Sequence, residues 1–157
     1  MRAIDWKLVA VLLTALGVTL ACSDDASAQT FTLTVDPASF SYPSADPDIS
    51  PTVTSPVLTV NYRVRFNAGR PWVITVRATG DLVSGGESIP CANITWTAAP
   101  APPFVNGTLS TIAQTLASGT GNINPARNGS LTFTLKNLWT YRVGIYTHTL
   151  VFTLATP

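Results

Sequence analysis

From Val57 to Phe66 the chain alternates without a break. Leu58, Val60, Tyr62, Val64 and Phe66 share one parity; Thr59, Asn61, Arg63 and Arg65 share the other. Period two is the period of a strand with one buried face. On a helix the same apolar residues would be scattered around the cylinder instead of forming a stripe. A turn cluster follows, Asn67-Ala68-Gly69-Arg70-Pro71. Then Trp72, Ile74, Val76 and Ala78 alternate with Val73, Thr75, Arg77 and Thr79. Two amphipathic strands joined by a short turn predict a β-hairpin.

The same period recurs along the chain. Phe31, Leu33 and Val35 alternate with Thr32, Thr34 and Asp36. Ile94 and Trp96 share a face, and Leu131, Phe133 and Leu135 alternate with Thr132, Thr134 and Lys136. Tyr146, His148, Leu150, Phe152 and Leu154 take one parity of a closing strand. Prolines at 37, 43, 47, 51 and 56 lack a ladder donor and mark a loop, with room for one edge strand around Ser39 to Tyr42. Ala99-Pro100-Ala101-Pro102-Pro103 breaks the chain again. Ile112 to Ala117 is a weaker strand, whose Leu109, Ile112 and Leu116 spacing also suits a helical turn. Gly119 to Gly129, rich in Gly and Asn, reads as a loop. The expected fold is all-β, an immunoglobulin-like β-sandwich of about seven or eight antiparallel strands. Its core would hold Leu58, Val60, Tyr62, Val64, Trp72, Ile74, Val76, Trp96, Leu131, Phe133, Leu150, Phe152 and Leu154.

What covers the outward faces is unusual. Charged residues are 11% of the 157, against about 25% in ordinary soluble domains. There is no clustered Lys and Arg for nucleic acid, no charge excess for a disordered chain and no Glu/Lys-rich pattern for a coiled coil. Residues 29–157 hold 21 threonines, many on outward parity, and a single lysine, Lys136. The branched Cβ of threonine fits a pleated sheet while its hydroxyl faces water. Without edge lysines, sheet edges are lightly guarded against pairing with another chain.

The first residues read as an export leader. Arg2 and Lys7 precede the uncharged, mostly apolar run Leu8–Ala21, which is too short for the ~20 residues of a membrane span. Ala26-Ser27-Ala28 is a small-residue cleavage site, giving residues 1–28 as signal peptide and 29–157 as one β-sandwich domain. Thr19-Leu20-Ala21-Cys22 also resembles a bacterial lipobox, in which Cys22 would be the site of lipid attachment. The chain is therefore expected to be secreted or at the cell surface, and tied to a membrane only if Cys22 is acylated.

Chemistry-bearing residues are sparse. With the soluble cut Cys91 is the one remaining cysteine, so no internal disulfide forms. It reads as a small buried hydrophobe with no local cation or base. His148 is the only histidine and reads as packed at a strand rim; no Gly-x-Ser-x-Gly elbow accompanies it. One His and one Cys cannot fill a structural four-ligand zinc site without unusual carboxylate help. Asp46-Pro47-Asp48 could join a calcium site with oxygen ligands from the loop but lacks the ordered EF-hand spacing, and Asp81 and Glu87 flank a turn as solvated charges. No phosphate-cradling glycine loop is present. The expectation is a chain without catalytic residues, cofactor or metal. Asn93-Ile94-Thr95, Asn106-Gly107-Thr108 and Asn128-Gly129-Ser130 match the glycosylation acceptor pattern and read as turn or strand residues. Trp72 and Trp96 follow inward parity and read as core. Trp139 and Tyr141, in a less patterned segment, are the candidate glycan-contact aromatics.

Two segments carry a resemblance. Pro71-Trp72-Val73-Ile74-Thr75-Val76, with Gly80-Asp81-Leu82 and Ile89-Pro90-Cys91-Ala92-Asn93-Ile94-Thr95-Trp96, resembles the first motif region of bacterial WxL cell-surface domains. Residues 144–154 resemble their closing strand, and are similar to that of spore coat protein U-type and pilin-like secreted domains. Ile74 stands where the WxL pattern has Leu, and Phe152 where its second motif has Trp. The resemblance implies a non-catalytic structural or surface-attachment module whose partners are a cell-wall polymer or other envelope proteins. Two alternatives stand beside it. Thr30–Asp36 has the pattern of a donor strand, so copies would self-associate through sheet edges into a surface fibre. Alternatively, Trp139 and Tyr141 would bind a cell-wall carbohydrate.

Overall fold

The structure, a computed structural model, describes residues 29–66, 69–142 and 144–157. The leader and Cys22 lie outside them. The described chain is an all-β sandwich built from antiparallel sheets. Its strands are β1 (Thr30–Asp36), β2 (Thr52–Thr54), β3 (Leu58–Arg65), β4 (Pro71–Ala78), β5 (Leu82–Ser84), β6 (Glu87–Ile89), β7 (Ile94–Ala99), β8 (Gly107–Thr108), β9 (Gln114–Thr120), β10 (Ile123–Lys136) and β11 (Leu150–Ala155). The larger sheet runs β1-β3-β10-β7-β8, with β2 beside β10 on the side that β3 has left. The smaller runs β11-β4-β9, and β5 and β6 form a separate hairpin. The number of strands exceeds the expected seven or eight because β2, β5, β6 and β8 are only two or three residues long, too short to leave a periodic signature.

Alternation and burial agree residue by residue in the long strands. Leu58, Val60, Tyr62 and Val64 of β3 face Trp72, Ile74, Val76 and Ala78 of β4 across the core, and all are buried. Phe133, Leu131 and Leu135 of β10 and Trp96 of β7 complete the inner face of the larger sheet. Each such side chain contributes roughly 1.5–3 kcal/mol by leaving water. Twelve of the thirteen expected core residues are buried; Leu154, near the end of the outermost strand β11, is only half-buried.

Three expectations are corrected. First, β3 and β4 are not a hairpin. β3 pairs with β1 and β10, and β4 with β11 and β9. Both strands turn their apolar parity to one core, and the Tyr62 and Trp72 rings meet with centroids 5.3 Å apart. That satisfies the same sequence pattern from opposite sheets. Second, the edge strand in the proline-rich stretch is Thr52–Thr54, not Ser39–Tyr42. Phe40 and Tyr42 are buried nonetheless, and Phe40 stacks on Phe133 with an interplanar angle of 7°. Third, most of residues 119–129 is strand. Gly119 lies against the Trp72 ring and Gly129 against Phe104, where an added Cβ would collide with the aromatic ring. These glycines make room for large neighbours instead of breaking the chain. Only Gly121, at φ 77°, turns between β9 and β10. Residues 114–117 are strand rather than helical turn, and Ile112, just before them, is exposed.

Candidate functional site

The closing segment and the β5–β6 hairpin form one corner of the molecule around His148, Asp81 and Glu87. Gly85 and Gly86 have φ of 54° and 95°, the left-handed conformation that a two-residue hairpin loop requires. Their hairpin pairs Leu82 with Ile89 and Ser84 with Glu87. Val83 then forms an antiparallel bridge with Thr147, closed by Val83 N–H to Thr147 C=O and Thr147 N–H to Val83 C=O, each 3.0 Å. This bridge holds His148 in place.

The fold sets Asp81 against Cys91, ten residues on, and near His148 of the closing segment. The Cys91 backbone N–H donates to Asp81 Oδ1 at 2.9 Å. Cys91 and His148 are both 6% exposed. Burial pushes the Cys91 thiol pKa up, and its hydrogen bond to Asp81 and the charge of Asp81 push it further. Burial holds His148 down to about 4, opposed in part by a backbone hydrogen bond at Gly80 and by Asp81. A nucleophilic triad needs the histidine between the nucleophile and the carboxylate. Here the carboxylate faces both groups. It keeps the thiol protonated, which is the unreactive form. His148 Nδ1 is buried without a hydrogen-bond partner among the described residues. Three or more His, Cys, Asp or Glu placed to hold a metal ion do not occur among the described residues.

The carboxylates of the proline-rich loop are used locally. Asp46 Oδ1 accepts from the Asp48 backbone N–H at 3.0 Å, and the Asp46 carbonyl accepts from Ile49 and Ser50 N–H. This is a turn fixed by its own side chain. Asp48 Oδ1 accepts the Trp139 indole N–H at 2.8 Å. Glu87 forms a solvent-exposed ion pair with Arg142 at 3.2 Å.

The two candidate aromatics are placed differently. Trp139 is 60% exposed, its ring anchored at one edge by Asp48. Tyr141 is half-buried against the core, and its hydroxyl accepts from Asn93 Nδ2 at 2.6 Å. Asn93, in the 3-10 turn Cys91–Asn93, thus serves packing at this corner. Asn106 of the second acceptor pattern ties the Ala98 N–H through its Oδ1. Trp72 and Trp96 are core, as their parity required, and Trp96 Nε1–H donates to the Val105 carbonyl at 2.9 Å.

The outer face of the larger sheet was not foreseen as a unit. Thr54 pairs with Thr134, Thr134 with Thr95, and Thr95 with Thr108, giving one row of threonines across β2, β10, β7 and β8. Thr132 and Thr97 form the next row. Threonine content was visible in the sequence, but the row depends on register between strands up to 80 residues apart. No helix among the described residues is long and apolar enough to cross a membrane. Comparison of the chain with family models and with curated proteins finds no match.

Proposed function

We propose that the protein is a secreted, non-catalytic module of the bacterial cell surface, acting in structure or attachment. The observation that supports this reading is the outer face of the larger sheet. Its rows of threonine hydroxyls and methyls across β2, β10, β7 and β8, flanked by Arg63 and Arg65 of β3 and by Lys136, are suited to lie against a neighbour with little charge to desolvate. The lysine-free strands β1, β9 and β11 add to this, because they lie at sheet edges and offer little electrostatic resistance to a neighbouring chain. The leader motif supplies the route out of the cell, with cleavage after Ala28 or acylation at Cys22. Cells producing the full chain are expected to release it to the medium or retain it in the wall or membrane fraction, shortened at its N-terminus. Recovery of the uncut chain from the cytosol would overturn the reading.

A second reading, a surface fibre built by strand addition, is favoured by β1. This strand pairs with β3 over all seven residues, yet only Val35 is buried and Phe31 is 37% exposed. Most of its attachment is therefore backbone ladder, which another chain can supply equally well. Size-exclusion chromatography with and without residues 29–36 tests this. Oligomers that vanish on deletion support the fibre, and a monomer unaffected by concentration contradicts it.

A further inference from the structure

We infer that a groove on the outer face of the larger sheet is a binding site for a neutral sugar. The groove has a volume of about 390 Å³ and is lined by Thr59, Ala99, Pro100, Asn128, Gly129 and Ser130. It arises from the topology. β10 is fourteen residues long, but β7 accompanies it only from Ser130 to Leu135, because β7 ends at Ala99 and the chain leaves the sheet at Pro100. On the other side β3 continues alongside, with Thr59 opposite Ser130 and Asn61 opposite Asn128. The result is a notch with Thr59, Ser130 and Ala99 in one cross-strand row, Asn128 two residues along the same face, and Pro100 at the end. The Gly129 position faces inward, against Phe104.

The chemistry of the lining selects the ligand class. Its volume lies within the ~300–1,000 Å³ typical of small-molecule sites, enough for a mono- or disaccharide. The Thr59 and Ser130 hydroxyls and the Asn128 amide can each donate and accept. Among the described residues these three side chains make no hydrogen bond to the protein, so their capacity is turned outward. A partner that both donates and accepts at several adjacent points is a polyhydroxyl compound. No lining residue is charged, so an anionic or cationic ligand would gain no ion pair. The Ala99 methyl and the Pro100 ring supply the apolar wall against which the C–H face of a pyranose can lie. The groove is open to solvent, so the expected Kd is on the order of millimolar.

The inference stands on the groove alone: a failed titration leaves the surface-module reading untouched, and a cytosolic location leaves the groove untouched. The test is a titration of the purified, isotope-labelled protein by amide NMR, with glucose, N-acetylglucosamine and their β-1,4-linked disaccharides as probes and glucuronic acid as the charged control. Saturable shifts at Thr59, Asn128, Gly129 and Ser130 are expected. Asn128→Ala, a change at an exposed side chain, should weaken them at least tenfold while leaving the remaining spectrum in place. Ser130→Lys should abolish them. Absence of shifts with every neutral sugar at tens of millimolar overturns the inference. So do shifts confined to Trp139, or stronger binding of glucuronic acid.

Discussion

At the scale of single residues, side-chain volume and burial decide more than residue class. Gly129 sits within a strand because Phe104 occupies the space a side chain would need. Gly129→Ala should therefore destabilise the fold by about 1–3 kcal/mol, the usual cost of overpacking. Gly80, whose added Cβ would meet nothing within 4 Å, is the control; Gly80→Ala should stay within about 0.5 kcal/mol. Urea unfolding of both variants measures the difference, and equal midpoints would refute the packing explanation. His148 makes the second prediction. Its pKa is held at about 4 in the fold by burial, against about 6.5 when unfolded. Between those values the unfolded chain binds more protons, so stability rises with pH across the window. It is lost as pH falls from about 6.5 to about 4, by roughly 3 kcal/mol at most. His148→Gln should flatten that slope in unfolding curves taken from pH 4 to 7.5. An unchanged slope would place the titration elsewhere.

At the scale of elements, legibility followed burial. β3, β4, β7 and the second half of β10 were readable because each buries one face under strict alternation. The pairing of those strands was not readable. β3 and β4 carry the pattern of a hairpin, and only their pairing partners, β1 and β10 for one and β11 and β9 for the other, put them in opposite sheets. The segment before β2 was opaque for another reason. Its anchors are few: Phe40 and Tyr42, with Phe40 on Phe133, and the buried Asn137, whose Nδ2 donates to the Ala45 and Ser50 carbonyls. Two alternating residues are too few to tell an extended loop from a strand. The approach of Asp81 to His148 likewise depends on the bridge between Val83 and Thr147, a contact set by the fold and not by local sequence. The strands should also differ in stability. β1 is an edge strand with one buried residue, whereas β10 lies between β3 and β7 with Leu131, Phe133 and Leu135 fully buried. Native-state hydrogen exchange should release β1 amides well before those of β10, since shallowly buried elements open locally. Equal protection in the two strands would count against the shallow attachment on which the fibre reading rests.

At the scale of the whole molecule, low charge and high threonine content become a geometric property. The apolar parity of the strands fills one core, and the other parity of the larger sheet lays Thr54, Thr134, Thr95 and Thr108 in a row, with Thr132 and Thr97 beside them. The proposal that this molecule works by contact at the cell surface depends on that face. Sedimentation with isolated bacterial cell walls tests it most directly, comparing the natural protein with the double variant Thr95→Lys, Thr134→Lys. The natural protein is expected in the pellet, and the variant, folded but with two ammonium groups standing on the face, in the supernatant. A natural protein that stays in the supernatant, or a folded variant that pellets equally well, would contradict the account.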